Sequence, residues 1–383
     1  VKRLLWIGDA ACSSGFGRAS TSILALLKDE FEVTVLGINY RGDPRADRQP
    51  HPYAIYPAHT GGDGMGIRRV KELVPFLKPD LIVVQTNPWN IPKYLEELQK
   101  KTEYRGPVIG IVAVEGKNCE GALLNGLSLT VFWTEFAAQE AVAGGYTGMY
   151  CVIPLGVDLE FFTPGDKVHA HRIIGEEVST DAFIVGTVNR NQNRKRLDLT
   201  LIYFAEWIKT RKIDDAYLYM HILPGSSTHV NCDQLAQYLK INERVILAQP
   251  KDIFHGAPDL LLRETYRRMD LHVSTSLCEG WGLTTLESMA CGVPNMATDI
   301  AAIPEWAGDS VRLVKVISEG IMPDVRTMIG GVPSKEDFIA GLDEFYFHRQ
   351  HRETMAARAL AKAQEFDWPS VGAAYAEVIR CAM

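Results

Sequence analysis

Short apolar runs alternate with helix-patterned stretches along this chain, in two series separated by a polar break between Pro164 and Thr180. Arg3 to Ile7, Glu32 to Ile38, Leu81 to Gln85, Val108 to Ala113, Leu129 to Thr134 and Tyr150 to Ile153 read as strands of the first series. Ala19 to Lys28, Ile67 to Lys78 and Phe136 to Val142 have helical spacing between them. In the second series the strands are Phe183 to Val188, Ala216 to Ile222, Val245 to Leu247, Leu271 to Ser276 and Val293 to Met296, alternating with helices Leu197 to Thr210, Asp233 to Lys240 and Asp259 to Met269. Asp337 to Gln364 and Trp368 to Ala382 continue as helices. A strand followed by a helix and another strand requires a crossover connection, so each series predicts a doubly wound α/β sheet. At 383 residues the chain has material for two such domains.

Composition narrows the function classes. With 46% apolar and 23% charged residues the chain has the make-up of a soluble globular protein. No apolar run reaches the roughly 18 residues of a membrane span, and the opening Val1-Lys-Arg-Leu-Leu-Trp-Ile7 lacks a signal-peptide pattern, so a cytoplasmic protein is expected. Its seven cysteines are scattered without a Cys-x-x-Cys pair, which suggests neither a disulfide framework nor a zinc site. A net charge of −7 gives no general attraction for nucleic acid or anionic lipid.

The most informative segment runs from Ser274 to Pro294 and reads as strand, glycine turn and helix. Glu279 falls at the carboxyl end of the strand, with Gly280 and Gly282 breaking it, and Glu287 falls in the helix that follows. Ligands of open α/β sheets bind at that edge. The amides of Gly282, Leu283 and Thr284 open the helix, and a helix start presents unpaired N–H groups that favour a phosphate. Two carboxylates beside a phosphate site suit a polyhydroxylated ligand, since carboxylates accept strongly from sugar hydroxyls. A second cluster, Arg190 with Arg194, Lys195 and Arg196, follows another strand end and suits a diphosphate. Which of Arg194, Lys195 and Arg196 points inward is open at this stage. No Asp-x-Asp pair occurs in the chain, so the usual ligands of a phosphate-bound divalent metal are absent from the sequence.

Glu279 and Glu287, with seven residues between them, resemble the Glu-x7-Glu motif of the retaining glycosyltransferases of family four, which have the two-domain GT-B fold. Val152 to Pro164 is similar to that family's interdomain signature, Gly186 to Lys195 to its donor-phosphate loop, and Ser13-Ser-Gly15-Phe-Gly17-Arg18 to the glycine loop after its first strand. The resemblance implies an α/β GT-B fold: two doubly wound parallel-sheet, Rossmann-like domains facing a central cleft. Residues 1–162 would form the acceptor-side domain, 163–365 the nucleotide-sugar domain, and 366–383 a helix crossing back to the first.

Carried over residue by residue, the resemblance assigns the donor diphosphate to Arg190 and Lys195, with Gly15 and Gly17 reaching it from the first domain. Gly282, Leu283 and Thr284 would add their amides, Glu287 would accept from the ribose, and Glu279 would stand near the reacting carbon of the transferred sugar. Catalysis would rest on Glu279, Arg190 and Lys195. The donor implied is a UDP-sugar used as co-substrate, with no cofactor and no metal. Many members of the family carry a histidine where this chain reads Ile111-Val-Ala-Val-Glu115-Gly116-Lys117. Glu115 is therefore either the acceptor-facing group or a solvated loop carboxylate. Asn87, Trp89 and Asn90, and the loop Gly61 to Gly66, join it on the acceptor side, with Trp89 either stacking on a ring or packing. The acceptor stays open among glycans, small molecules, lipids and, from the likeness of the opening loop to phage-borne members, hydroxylated DNA bases. A sugar-nucleotide 2-epimerase and an inactive sugar-binding protein are the rival readings on this fold. The epimerase's acid/base pattern is not evident, and Glu279, Arg190 and Lys195, which an inactive relative would be expected to lose, are present.

Overall fold

The computed structural model describes residues 1–12, 14–42, 51–174, 178–223, 230–248, 257–323 and 327–382. Ser13, part of the expected glycine loop, lies outside them. The described residues form two compact units: 1–114, 118–156 and 368–383 make the first, and 115–117 with 157–367 the second.

In the first unit, β1 (Lys2–Gly8), α1 (Gly15–Leu27), β2 (Phe31–Gly37), β3 (Ala54–Pro57), α2 (Val70–Leu77), β4 (Leu81–Thr86), α3 (Ile91–Lys101), β5 (Val108–Val112), β6 (Leu129–Phe132), α4 (Glu135–Ala143) and β7 (Tyr150–Val152) follow in order. Their strands make one parallel sheet ordered β3-β2-β1-β4-β5-β6-β7. All six residues of β4 are buried, as a central parallel strand covered on both faces must be.

The second unit holds α5 (Lys167–Ile174), β8 (Phe183–Arg190), α6 (Leu197–Arg211), β9 (Ala216–Leu223), α7 (Cys232–Tyr238), β10 (Val245–Ala248), α8 (Asp259–Arg268), β11 (Leu271–Ser274), α9 (Leu283–Ala290), β12 (Asn295–Thr298), α10 (Ala302–Ala307) and β13 (Arg312–Val314). Its parallel sheet runs β10-β9-β8-β11-β12-β13, so the order reverses between β8 and β11. An antiparallel hairpin, β14 (Val316–Ile321) with β15 (Ile329–Pro333), comes next. The expected helix from Asp337 to Gln364 is two helices, α11 (Lys335–Phe347) and α12 (Arg349–Ala363), separated at His348, where φ and ψ leave the helical region.

The chain's last helix, α13 (Trp368–Cys381), counts with the first unit and packs on α1. A Cβ at Gly372 would stand 1.9 Å from Leu26 Cδ1, so the small residue permits the close approach. Tyr375 donates to the Ile153 carbonyl at 3.0 Å, and Arg380 meets both oxygens of Glu30 at 2.7 Å.

One expectation needs correction. The stretch from Gly8 to Arg18 is not a loop throughout, because Ser14 caps α1 with its hydroxyl on the Gly17 N–H at 2.8 Å. Gly15 and Gly17 therefore occupy the first turn of a helix. Gly17 is buried, and a Cβ there would lie 2.0 Å from the Cys12 carbonyl oxygen and 2.7 Å from that of Asp9. Backbone cannot yield as a flexible side chain can. Gly17→Ala should lower stability by about 1–3 kcal/mol, read as a fall in the thermal midpoint, and a wild-type midpoint would show that the turn has room.

Candidate functional site

The reversal between β8 and β11 leaves a crevice at their carboxyl ends, and the loop after each strand is tied to the other. After β8 the chain makes a 3-10 turn over Asn193–Lys195 and passes through a left-handed Arg196, φ 47°. The Leu277 N–H donates to the Arg194 carbonyl at 2.8 Å, and the Thr275 hydroxyl to the Arg196 carbonyl at 2.9 Å. These bonds set the basic cluster against the segment that carries Glu279.

Four charges of alternating sign result. Glu115 meets Arg194 Nη2 at 2.7 Å, Arg194 Nη1 lies 3.5 Å from Glu279, and Glu279 meets Lys195 Nζ at 2.5 Å. Arg194 Nη1 also donates to the Cys278 carbonyl at 3.2 Å. All four side chains keep only 11–14% of their exposure. Burial pushes the Glu279 carboxyl up, but the neighbouring Lys195, then Arg194, and a hydrogen bond with Ser276 bring it down to about 2. Burial in turn favours the neutral amine of Lys195, which the Glu279 carboxylate opposes. Glu279 is thus a fixed anion at neutral pH.

Glu115 reaches this ladder because residues 115–117 pack on the hairpin of the second unit. Lys117 and Ile329 exchange backbone hydrogen bonds at 3.0 and 2.9 Å, and the Lys117 ammonium meets Glu319 at 2.6 Å. Between them, Gly116 lets the two backbones approach, since a Cβ there would fall 2.7 Å from the Ile329 carbonyl oxygen. Of the two alternatives for Glu115, the solvated loop carboxylate is therefore not what is found.

The basic cluster sorts by partner. Arg196 is engaged by Asp198 at 2.9 Å, and Arg194 by two carboxylates and a carbonyl. Lys195 has one recorded acceptor for three N–H donors, and Arg190, at the end of β8, is exposed. Charge compensation by an added anion is thus not needed at Arg194 or Arg196, whereas Lys195 and Arg190 retain donors.

Gly282 has φ 92° and begins α9 without a side-chain cap. The N–H groups of Gly282, Leu283 and Thr284 meet no acceptor among the described residues, and all three are half-exposed. The preceding Trp281 is locked by stacking on Trp306 at 5.1 Å, and its carbonyl accepts from the Trp306 indole at 2.8 Å. Glu287 sits in the second turn of α9, 3% exposed, with the Tyr266 hydroxyl on one oxygen at 2.8 Å. Beneath, the buried His272 shares Nδ1 with Asn295 at 2.7 Å, and burial pushes it down to about 4. Sequence reading missed His272 and Tyr266 because both are embedded in runs that read only as strand and helix.

In the first unit the sheet order reverses between β1 and β4, where Gly15 and Asn87 follow the two strand ends. The amides of Gly15 and Phe16 have no acceptor among the described residues. Asn87 and Trp89 are half-buried. Asn90 is 8% exposed and fixed by Thr86 and Lys93, each at 3.2 Å. Asp9, which the sequence did not single out, accepts from Ser14 at 2.8 Å and from Asn39 at 3.1 Å and so braces this edge. In the loop Gly61 to Gly66, Asp63 caps the turn that follows, through the Ile67 N–H at 3.0 Å.

Residues 180–329 match the profile of the family described as glycosyl transferases group 1. A D-inositol 3-phosphate glycosyltransferase of Kribbella flavida is 28% identical over 242 residues, 61% of this chain and 52% of that protein. The chain spans about half the length of the curated relatives it matches. Sucrose-phosphate synthase of Thermosynechococcus elongatus shares the fold with a TM-score of 0.75 at 16% identity, over 99% of this chain and 98% of that one. Anabaena HepE, in complex with UDP and glucose, shares it with a TM-score of 0.72 at 16% identity, over 100% of each chain. The profile lies within the second unit, and the pair of Rossmann-like parallel sheets agrees with these solved structures, so the fold is GT-B.

Proposed function

We propose that the protein transfers a sugar, with retention of configuration, from a UDP-sugar to a hydroxyl of a polyhydroxylated acceptor. The observation that carries this reading is the meeting, at one sheet reversal, of an ionised Glu279, a Lys195 with donors to spare and the amides that open α9 with no acceptor among the described residues. Support for the nucleotide comes from the HepE complex, which holds UDP and glucose on the same fold. Support for a polyol acceptor comes from relatives named for D-inositol 3-phosphate, over the part of their length that this chain spans.

In this reading the diphosphate lies on Arg190, Lys195 and the amides of Gly282, Leu283 and Thr284. Glu287, oriented by Tyr266, accepts from the ribose. As the bond from the anomeric carbon to the diphosphate oxygen breaks, its electron pair leaves with the diphosphate, whose growing charge the cations and amides stabilise. The acceptor oxygen attacks from the face just vacated and gives its proton to the departing oxygen. Glu279, held ionised by its neighbours, faces the positive charge that develops at the anomeric carbon. Asn87 and Trp89, at the strand-end edge of the first unit, are assigned to the acceptor. Phosphate charge is met by side chains and amides, so no metal is required.

Three measurements test this. Lys195→Ala should weaken UDP binding by about 1.5–3 kcal/mol, the worth of a charge-assisted hydrogen bond, and Arg190→Ala by less, because its exposed charge is screened. Undiminished affinity in the double variant, measured by calorimetry, would remove the diphosphate from this edge. Turnover should survive EDTA; its loss on chelation and recovery with Mg²⁺ or Mn²⁺ would contradict a phosphate site built from cations alone. An α-linked donor should yield an α-linked product, and a β anomer in the product's nuclear magnetic resonance spectrum would overturn retention.

A further inference from the structure

The donor reading uses Lys195 and Arg190 but leaves Arg194 without a task, although Arg194 is the most engaged cation of the site. Its guanidinium has carboxylates on both sides and a carbonyl between them: Glu115 at 2.7 Å, Cys278 at 3.2 Å and Glu279 at 3.5 Å. Its backbone carbonyl is the acceptor that ties Leu277, and hence the Glu279 segment, to the loop after β8. A planar fork can hold two carboxylates at a fixed angle, whereas a lysine ammonium is a point charge on a flexible stem.

We propose that Arg194 is a positioning residue of the transfer site, fixing the carboxylates of Glu279 and Glu115 relative to each other and compensating Glu279 when the donor diphosphate draws on Lys195. This rests on the donor reading above. The need follows from sharing. Lys195 is the closest cation to Glu279, and a phosphate bound to the same ammonium divides its charge between two anions. Arg194 is held more firmly, because both of its Nη groups already face protein acceptors. The groups facing Glu279 are then Lys195 and Arg194 from the loop after β8, Ser276 from its own segment, and the neutral His272 beneath. Glu115 occupies the far side of Arg194 and makes the arrangement rigid, since two acceptors orient the guanidinium where one would leave it free to rotate. Arg194 thus acts through the carboxylates without touching the ligand.

The test separates the two ideas by beginning with the free protein. With carbon-13 label in glutamate carboxyls, the Glu279 resonance is identified by its loss in Glu279→Gln and titrated in wild type and Arg194→Met. Its midpoint should rise by about one pH unit or more in Arg194→Met, since an opposite charge within a few ångströms has been removed. UDP affinity should stay within about threefold of wild type, while release of UDP from UDP-glucose should slow about tenfold or more as Glu279 loses its placement. Arg194→Lys, the safer variant for folding, should keep the midpoint near wild type and still slow the release, because it restores charge without the fork. An unmoved midpoint in Arg194→Met, a wild-type rate in Arg194→Lys, or a loss of UDP affinity as large as that of Lys195→Ala would each overturn the proposal. A wild-type protein that neither binds UDP nor cleaves UDP-glucose would sink the donor reading instead, and the titration would still decide the place of Arg194.

Discussion

The pairing of β8 with β11 is the constraint on which the site depends. These strands lie eighty residues apart in sequence, yet Leu271 pairs with Val185 and His272 with Gly186, so their carboxyl ends open onto one edge. At Gly186 the Met269 side chain fills the space that a Cβ would take, with Sδ 2.3 Å from that position. Once the strands are paired, the loops that leave them have little choice of neighbour. The Leu277 to Arg194 and Thr275 to Arg196 hydrogen bonds then close the two loops onto each other, and the charges they carry are forced together.

Bringing buried charges together is costly unless the set is complete. Desolvation of a carboxylate or an ammonium outweighs a single Coulombic contact in many proteins. Here each of the inner members has two partners: Arg194 between Glu115 and Glu279, and Glu279 between Arg194 and Lys195. Two cations and two anions leave the ladder neutral overall, so it stands without a ligand. An incoming diphosphate must therefore be met by donors that the ladder has not consumed. Those are the spare N–H groups of Lys195, the exposed Arg190 and the helix amides, which need break no hydrogen bond to an acceptor among the described residues to meet a ligand.

Much of this was legible in the sequence, and the residues that were not share a physical reason. Both sheets apart from their edge strands β3 and β13 followed from the alternation of apolar runs and helical stretches, since buried parallel strands have few alternatives. The hairpin did not: β14 is exposed along most of its length and carries Ser318, Glu319 and Gly320, which give no strand pattern. Its existence depends on β15 and on Lys117, and long-range pairing leaves no local signature. The start of α1 was hidden because Gly15 and Gly17 read as a turn, although Ser14 at the cap position was a signal available to a closer reading. The direction of each cation in Arg194-Lys195-Arg196 could not be read at all. It is set by a 3-10 turn followed by a left-handed residue, and consecutive side chains in such a turn diverge widely. Glu115 illustrates the same limit from the other side, for its local sequence reads as an ordinary loop and only the hairpin, reached two hundred residues later, gives it a place.

The two sheets obey one rule of construction. In each, the first strand of the series lies beside the fourth of its sheet, β1 beside β4 and β8 beside β11, and the order reverses between them. A reversal leaves the connections departing to opposite sides, so the ends of those two strands are not covered by a crossover helix. Gly15 and Asn87 follow the strand ends in the first unit, and Arg190 and Glu279 in the second. What differs is the chemistry each edge can support. The second gathers fixed charges and unpartnered amides, which suit a polyanion. The first offers the Gly15 and Phe16 amides with the amide side chain of Asn87 and the indole of Trp89 beside a braced, buried Asp9, which suits hydroxyl groups more than phosphate. In this chain the difference between the two edges arises from which side chains stand at the same pair of strand ends.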